Sequence, residues 1–203
     1  MKKIFFGLLF LFSLNCYSQI AGKILQVRPY GEQAAILKPA ITGELMGLKE
    51  FDDNLRIRYG ISYVSFKPRL DTFPVIAEYF SGSTGFAILP GYEVITNYSM
   101  FLAFTGYDYD VLKKDNYFLY PGADILIGMT NVEYDTYYQT LSSGSDSNDG
   151  LLAGIRLRLG FEYMTSETIG LFLEATHSIY YLPHMKIWYA HQDIGIGVHY
   201  IID

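Results

Sequence analysis

The chain has 203 residues, half of them hydrophobic, with 19 Tyr, 14 Phe and 1 Trp and only 18% charged residues. Its length implies one domain, two at most. The aromatic load excludes disorder, and beyond the N-terminus no apolar run approaches the ~18–20 residues of a membrane helix, which leaves a secreted sandwich or a membrane barrel.

Lys2 and Lys3 precede the apolar run Ile4–Leu14, and Cys16 and Ser18 are small residues at −3 and −1 from a cut before Gln19. This is the pattern of a secretory signal peptide, so we divide the chain into a leader, 1–18, and a β-barrel, 19–203. Cys16 raises a lipoprotein reading, but Ser13, Leu14 and Asn15 before it match that signal poorly. A cut after Ser18 leaves no Cys, hence no disulfide or thiol chemistry. It also removes two lysines, leaving 13 basic against 21 acidic residues, a net charge of −8. An acidic secreted chain is a poor phosphate binder, so no nucleic-acid partner is expected.

The rest reads with period two. In Leu55–Tyr63, Leu55, Ile57, Tyr59, Ile61 and Tyr63 alternate with Arg56, Arg58, Gly60 and Ser62. Tyr117–Met129, Leu151–Tyr163, Ile169–Tyr181 and Trp188–Ile202 alternate in the same way. Such segments are strands with one apolar and one polar face. They exceed the ~5–6 residues usual in a soluble sandwich and reach the ~9–11 of outer-membrane strands. Eight strands are expected, at 23–30, 36–50, 54–79, 86–112, 117–140, 150–163, 169–182 and 187–202. A competing parse breaks the chain at Thr96–Ser99.

Tight turns are expected at Phe51–Asn54, Lys113–Asn116 and Thr165–Thr168, where Asp, Asn and Ser bond to nearby backbone. Longer tips, Ser81–Gly85 and Ser142–Gly150, alternate with them, as in a barrel with short periplasmic turns and longer outer loops. The third and fourth strands are taller than a membrane, so Phe73–Phe80 and Phe86–Val94 should protrude as a hairpin. Pro68 and Pro74 suit an edge or bulge there. The fold class expected is all-β: a single antiparallel up-and-down transmembrane barrel of about eight strands with protruding extracellular hairpins.

On these strands the chain resembles the small outer-membrane barrels of the OmpA/OmpX-like group. Ile194, Ile196, Val198 and Tyr200 alternate toward an aromatic near the C-terminus, the family's usual signal to the barrel-insertion machinery. The family pattern ends on the aromatic; here Ile201, Ile202 and Asp203 follow. The signal peptide ending near Gln19 and the Tyr-rich strands look like proteins of the Bacteroidetes. The resemblance implies the outer membrane of a Gram-negative bacterium, with its lipid and insertion machinery as partners.

By alternation Lys38, Glu44, Arg56, Arg58, Asp124, Arg156, Arg158, Glu162, Glu174 and Asp193 face the lumen. An eight-stranded barrel is just wide enough inside for side chains, and buried charges must be paired. A plugging salt-bridge network is therefore expected, with a narrow gated ion path as the alternative. Tyr59, Tyr63, Tyr107, Tyr109, Tyr163, Tyr181, Trp188 and Tyr200 fit the aromatic girdles of the two interfaces.

Catalysis is a second alternative. Lipid A deacylase barrels place His-X-Ser-Asn on a late strand. Here His177 and Ser178 are consecutive, so a strand turns them to opposite faces. His191 and His199 stand ~26 Å apart at ~3.3 Å per residue, too far to share a metal. Asp146 and Asp149 lack calcium-ligand spacing. No catalytic residue, metal or cofactor is assigned. The expected role is structural or interactive, possible partners including another envelope protein held by the 72–94 hairpin.

Overall fold

The computed structural model describes residues 19–31, 33–69, 73–81, 85–138, 144–183 and 187–202. The expected leader, 1–18, lies outside the described residues. Ten strands form: β1 (Gln19–Tyr30), β2 (Ala40–Asp52), β3 (Leu55–Phe66), β4 (Phe73–Ser81), β5 (Gly85–Tyr109), β6 (Leu112–Lys114), β7 (Tyr117–Tyr138), β8 (Gly144–Met164), β9 (Ile169–Leu182) and β10 (Ile187–Ile201). One helical turn, α1 (Gln33–Ile36), precedes β2.

All pairings between these strands are antiparallel. Eight strands close a ring in the order β1, β2, β3, β5, β7, β8, β9, β10, with β10 returning to β1. Closure removes the unpaired edges that an open sheet would present. β4 pairs with the far end of β5, and β6 with the start of β7, as extensions outside the ring.

The tight turns and both ends of the described chain gather at one end of the barrel. Asp53 and Asn54 join β2 to β3. Asp115 and Asn116 join β6 to β7, and Asp115 takes a left-handed φ of 48°, which Asp tolerates in two-residue hairpins. At the next turn Thr168 accepts a bond from Ile201 N at 2.9 Å.

Several boundaries depart from the sequence reading. The expected strand 86–112 ends at Tyr109, and Leu112–Lys114, two of them expected in the turn, pair separately as β6, while β2 runs past residue 50 to Asp52. β1 starts at Gln19 instead of residue 23, because Gln19–Gly22 already ladder against both β10 and β2. β2 starts at Ala40 instead of residue 36, after α1 and Pro39, which has no N–H to give the ladder. The expected strand 54–79 is broken between Phe66 and Phe73, where Pro68 makes only an isolated bridge to Leu37. Gly144–Gly150, expected in a loop, is strand, laddered to Thr130–Thr136 of β7. Its polar side chains are held across the pair: Asn131 Nδ2 donates to Asp149 at 2.6 Å. No break occurs at Thr96–Ser99; β5 runs through, with only a register shift between Ile95 and Asn97.

The tall hairpins β4–β5 and β7–β8 therefore rise side by side, joined through the β5–β7 pair from Gly91↔Tyr138 downward. β9 pairs with β8 only from Ala153 onward, so Gly144–Leu152 forms a free edge among the described pairings.

Candidate functional site

The interior has two storeys. Toward the turns it is charged; toward the hairpins it is apolar and aromatic. Burial is inverted relative to a soluble domain. Glu174 and Arg58 are each 1% exposed, whereas Ile125, Ile127 and Leu151 on the outer wall are 62%, 62% and 66% exposed.

In the charged storey Glu44 on β2 takes Arg156 bidentately, at 3.0 and 2.9 Å, and Arg58 at 3.4 Å. Lys23 stands 3.4 Å from the same carboxylate. Glu174 on β9 accepts from Arg58 at 2.7 Å, from Tyr120 Oη at 3.0 Å and from Lys23. Asp124 takes Arg156 Nε at 2.7 Å and pairs with Arg158. Asp108 also pairs with Arg158. Toward the turn end, Arg56 bridges Glu162 at 2.6 Å and Asp110 at 3.0 Å, and His199 bonds to Glu162. Aromatic faces cover the guanidiniums: Arg156 sits 4.3 Å over Phe104, and Arg56 4.6 Å over Tyr120. Such stacking suits Arg better than Lys.

Inward glycines make room for these large side chains. A Cβ on Gly160 would lie 2.2 Å from the Tyr120 ring, so the glycine admits the phenol that reaches Glu174.

The upper storey is a packed plug. Tyr98 and Tyr189 stack at 5.9 Å and 11°, with Phe66 6.0 Å from Tyr98 and Tyr180 6.1 Å from Tyr189. Leu37, from the segment joining β1 to β2, is buried over them in the same apolar cluster. In the charged storey, a void lined by Arg56, Arg58, Tyr120, Glu162, Glu174 and His199 measures about 10 Å³, room for about one water.

Of the ten residues assigned to the lumen by alternation, Glu44, Arg56, Arg58, Asp124, Arg156, Arg158, Glu162, Glu174 and Asp193 are buried inside. Lys38 is not: it is exposed, in the short segment between α1 and β2, where the helical turn and Pro39 interrupt the alternation. Charged residues and histidines outside that assignment are buried too: Lys23, Asp108, Asp110, His191 and His199. Asp108 was legible, since Tyr107 and Tyr109 on either side of it face outward.

Asp110 lies in the turn after β5. Burial lifts its carboxyl above the usual range, against the pull of Arg56. A raised carboxyl pKa means the fold holds that proton more tightly than the unfolded chain. Its contribution is full at low pH and is lost as pH rises through the carboxylate range. Asp110→Asn should therefore flatten the stability change between about pH 4 and about pH 7, read from urea midpoints.

His177 and Ser178 point to opposite sides: Ser178 is fully buried, and His177 meets the Tyr30 ring at 6.0 Å on the outer face. Ser178 lies directly across from His191, yet neither Ser178 Oγ nor His191 Nδ1 has a hydrogen-bond partner. His191 Nε2 is instead 3.0 Å from Tyr180 Oη and 3.2 Å from Asp193. The hydrogen bond needed to activate a serine is absent from this set. Among the described residues no cluster of three or more His, Cys, Asp or Glu could hold a metal.

Tyr59, Tyr63, Tyr107, Tyr109, Tyr163, Trp188 and Tyr200 are exposed on the outer wall, and Tyr181 is half-buried, 5.1 Å from Trp188. Tyr107, Tyr109, Tyr163 and Tyr200 lie near the turns, while Tyr181 and Trp188 lie near the hairpins.

No known family matches the chain, and no protein of curated function matches its sequence. Among solved structures it is similar to Neisserial surface protein A, at 10% identity and a TM-score of 0.53, over 91% of this chain and 96% of that one. Two others overlay less closely. Ail, the attachment invasion locus protein of Yersinia pestis, has 10% identity and a TM-score of 0.47, over 91% and 99%. The N-terminal β-barrel domain of Pseudomonas aeruginosa OprF has 12% identity and a TM-score of 0.40, over 91% and 98%. The chain thus has the fold of the small outer-membrane β-barrels: eight antiparallel strands closed on themselves.

Proposed function

We propose that the protein is an integral outer-membrane barrel of a Gram-negative bacterium. In this reading its lumen is closed to solutes, and it acts as a structural or interaction component through the β4–β5 and β7–β8 hairpins. One observation carries the reading: the outer wall is apolar while charged residues are buried inside. Such a surface is stable only in lipid, because exposed apolar patches of this extent do not persist on soluble monomers. The paired charges and the aromatic plug support closure, since eight strands leave no more room than the side chains fill. The OmpA/OmpX-like pattern of the last strand and the Bacteroidetes-like, Tyr-rich strands support the same placement.

The expected result is that the full chain stays in the membrane pellet after a carbonate wash and migrates faster unheated than boiled on a gel. Release by carbonate would return the chain to the secreted-sandwich reading. Deleting 72–94 should then remove a copurifying envelope protein while the barrel still shifts on heating. An unchanged set of copurifying proteins would remove the interaction role.

A further inference from the structure

The outer wall on the β2–β3 side carries an arrangement that neither closure nor the hairpins require. Above the barrel, Ile36–Lys38 and Lys67–Arg69 form a short ribbon: Lys38 N donates to Lys67 O at 2.9 Å, and Arg69 N to Ile36 O. Leu37 bridges Pro68 between these bonds and is buried. Lys38 and Lys67 are therefore directly opposite, and Arg69 follows Lys67 by two residues. All three are exposed. Like charges directly opposite on a ribbon repel, with Cβ atoms ~4.5–5.5 Å apart. Among the described residues no side chain partners any of the three; the carboxylates next in sequence, Glu32 and Asp71, lie outside the described residues. Arg28, exposed on β1, flanks them with its guanidinium held by Gln26 at 2.8 Å.

Directly below lies a gap in the apolar wall. Gly43 has no side chain where its neighbours have large ones, and a Cβ there would meet nothing closer than 3.9 Å. A shallow groove of about 310 Å³ lies here, lined by Gly43, Leu45, Ile61, Tyr63 and Phe101 together with the buried Glu44 and Ser62. Tyr63 precedes Lys67 by four residues on the same strand line, ~13 Å at ~3.3 Å per residue. With strands tilted ~35–45°, that separation places the groove about 10 Å deeper than the cations, matching a lipid whose phosphate sits at the headgroup level and whose acyl chain descends the wall.

We infer that this face is a site for one phosphate-bearing lipid of the surrounding leaflet. Its phosphate neutralises Lys38, Lys67 and Arg69, with Arg28 at the margin, and one acyl chain fills the Gly43 groove. The inference rests on the membrane placement proposed above. Basic residues near a membrane surface each add about fivefold to anionic-lipid binding, so a preference on the order of tenfold or more over a zwitterionic lipid is expected.

The test uses the full chain reconstituted in phosphatidylcholine vesicles, with tryptophan quenching by brominated lipids. The native Trp188, on the outer wall, should be quenched by brominated phosphatidylcholine. If it is not, the membrane placement itself fails. In a Trp188→Phe, Phe101→Trp variant, brominated phosphatidic acid should quench about tenfold more effectively per mole than brominated phosphatidylcholine. Combined Lys38→Gln, Lys67→Gln and Arg69→Gln changes should erase that preference, and Gly43→Leu should weaken quenching by both lipids. Equal quenching by the two lipids would overturn the site, as would a preference that survives the three Gln changes. Millimolar inorganic phosphate should leave the preference intact. Its loss there would reassign the cations to a free anion and overturn the lipid site.

Discussion

Glu174→Ala is expected to lower the stability of the barrel by about 4 kcal/mol, because removing one partner of a buried ion pair leaves uncompensated charge. Glu174 accepts from Arg58 at 2.7 Å, from Tyr120 at 3.0 Å and from Lys23. Its loss leaves Lys23 with only Glu44, 3.4 Å away. Arg58 keeps contacts of 3.4 Å or more, to Glu44, Asp108 and Asp124. The adjoining void has room for about one water, so hydration replaces only part of what the carboxylate supplied. The measurement is a urea titration of refolded barrel, followed by the band that shifts on heating. The comparison is Lys49→Ala on the exposed side of β2, where the change should stay within about 0.5 kcal/mol. Equal midpoints for the two variants would show that the network contributes nothing to stability.

Gly106→Val should have the second large effect, and through the backbone. A Cβ at Gly106 would lie 2.0 Å from the Ala123 carbonyl oxygen and 2.2 Å from Asp124 Oδ1. The first of these atoms belongs to the β5–β7 ladder, where Gly106 faces Asp124 in register. The strand cannot move aside without breaking the ring. Overpacking of flexible side chains costs ~1–3 kcal/mol; a clash with paired backbone should exceed that and leave no heat-shifted band. Gly43→Val provides the contrast, because its Cβ would meet nothing closer than 3.9 Å. A normal heat shift for Gly106→Val would mean that β5 and β7 do not pack as described.

Alternation carried most of the interior. Arg56 and Arg58 beside outward Tyr59, or Arg156 and Arg158 beside outward Leu157, are readable because one face is charged and the other is apolar or aromatic. The same logic fails higher up. On β1 the inward series is Ala21, Lys23, Leu25 and Val27, and the outward series begins Ile20, Gly22, Ile24. Each face mixes apolar and polar residues, Gln19 and Lys23 on one and Gln26 and Arg28 on the other, so period two cannot say which is inside. Lys38 fails for another reason: α1 and Pro39 reset the phase before β2 begins.

The residue order by itself determined long period-two strands, tight Asp- and Asn-rich turns at one end, one tall hairpin from the third and fourth strands at the other, and the charged set that lines half the lumen. These follow from local rules, the pleat and turn chemistry, which act between near neighbours. Only the tertiary structure decided that the ring closes from β1 to β10, which carboxylate serves which guanidinium, and that Ser178 and His191 meet without a bond. It also decided that Lys38 lies opposite Lys67. Each of these depends on register between distant strands, and register is set by the whole ladder at once. A shift of a single residue would exchange the charged lumen for the apolar wall.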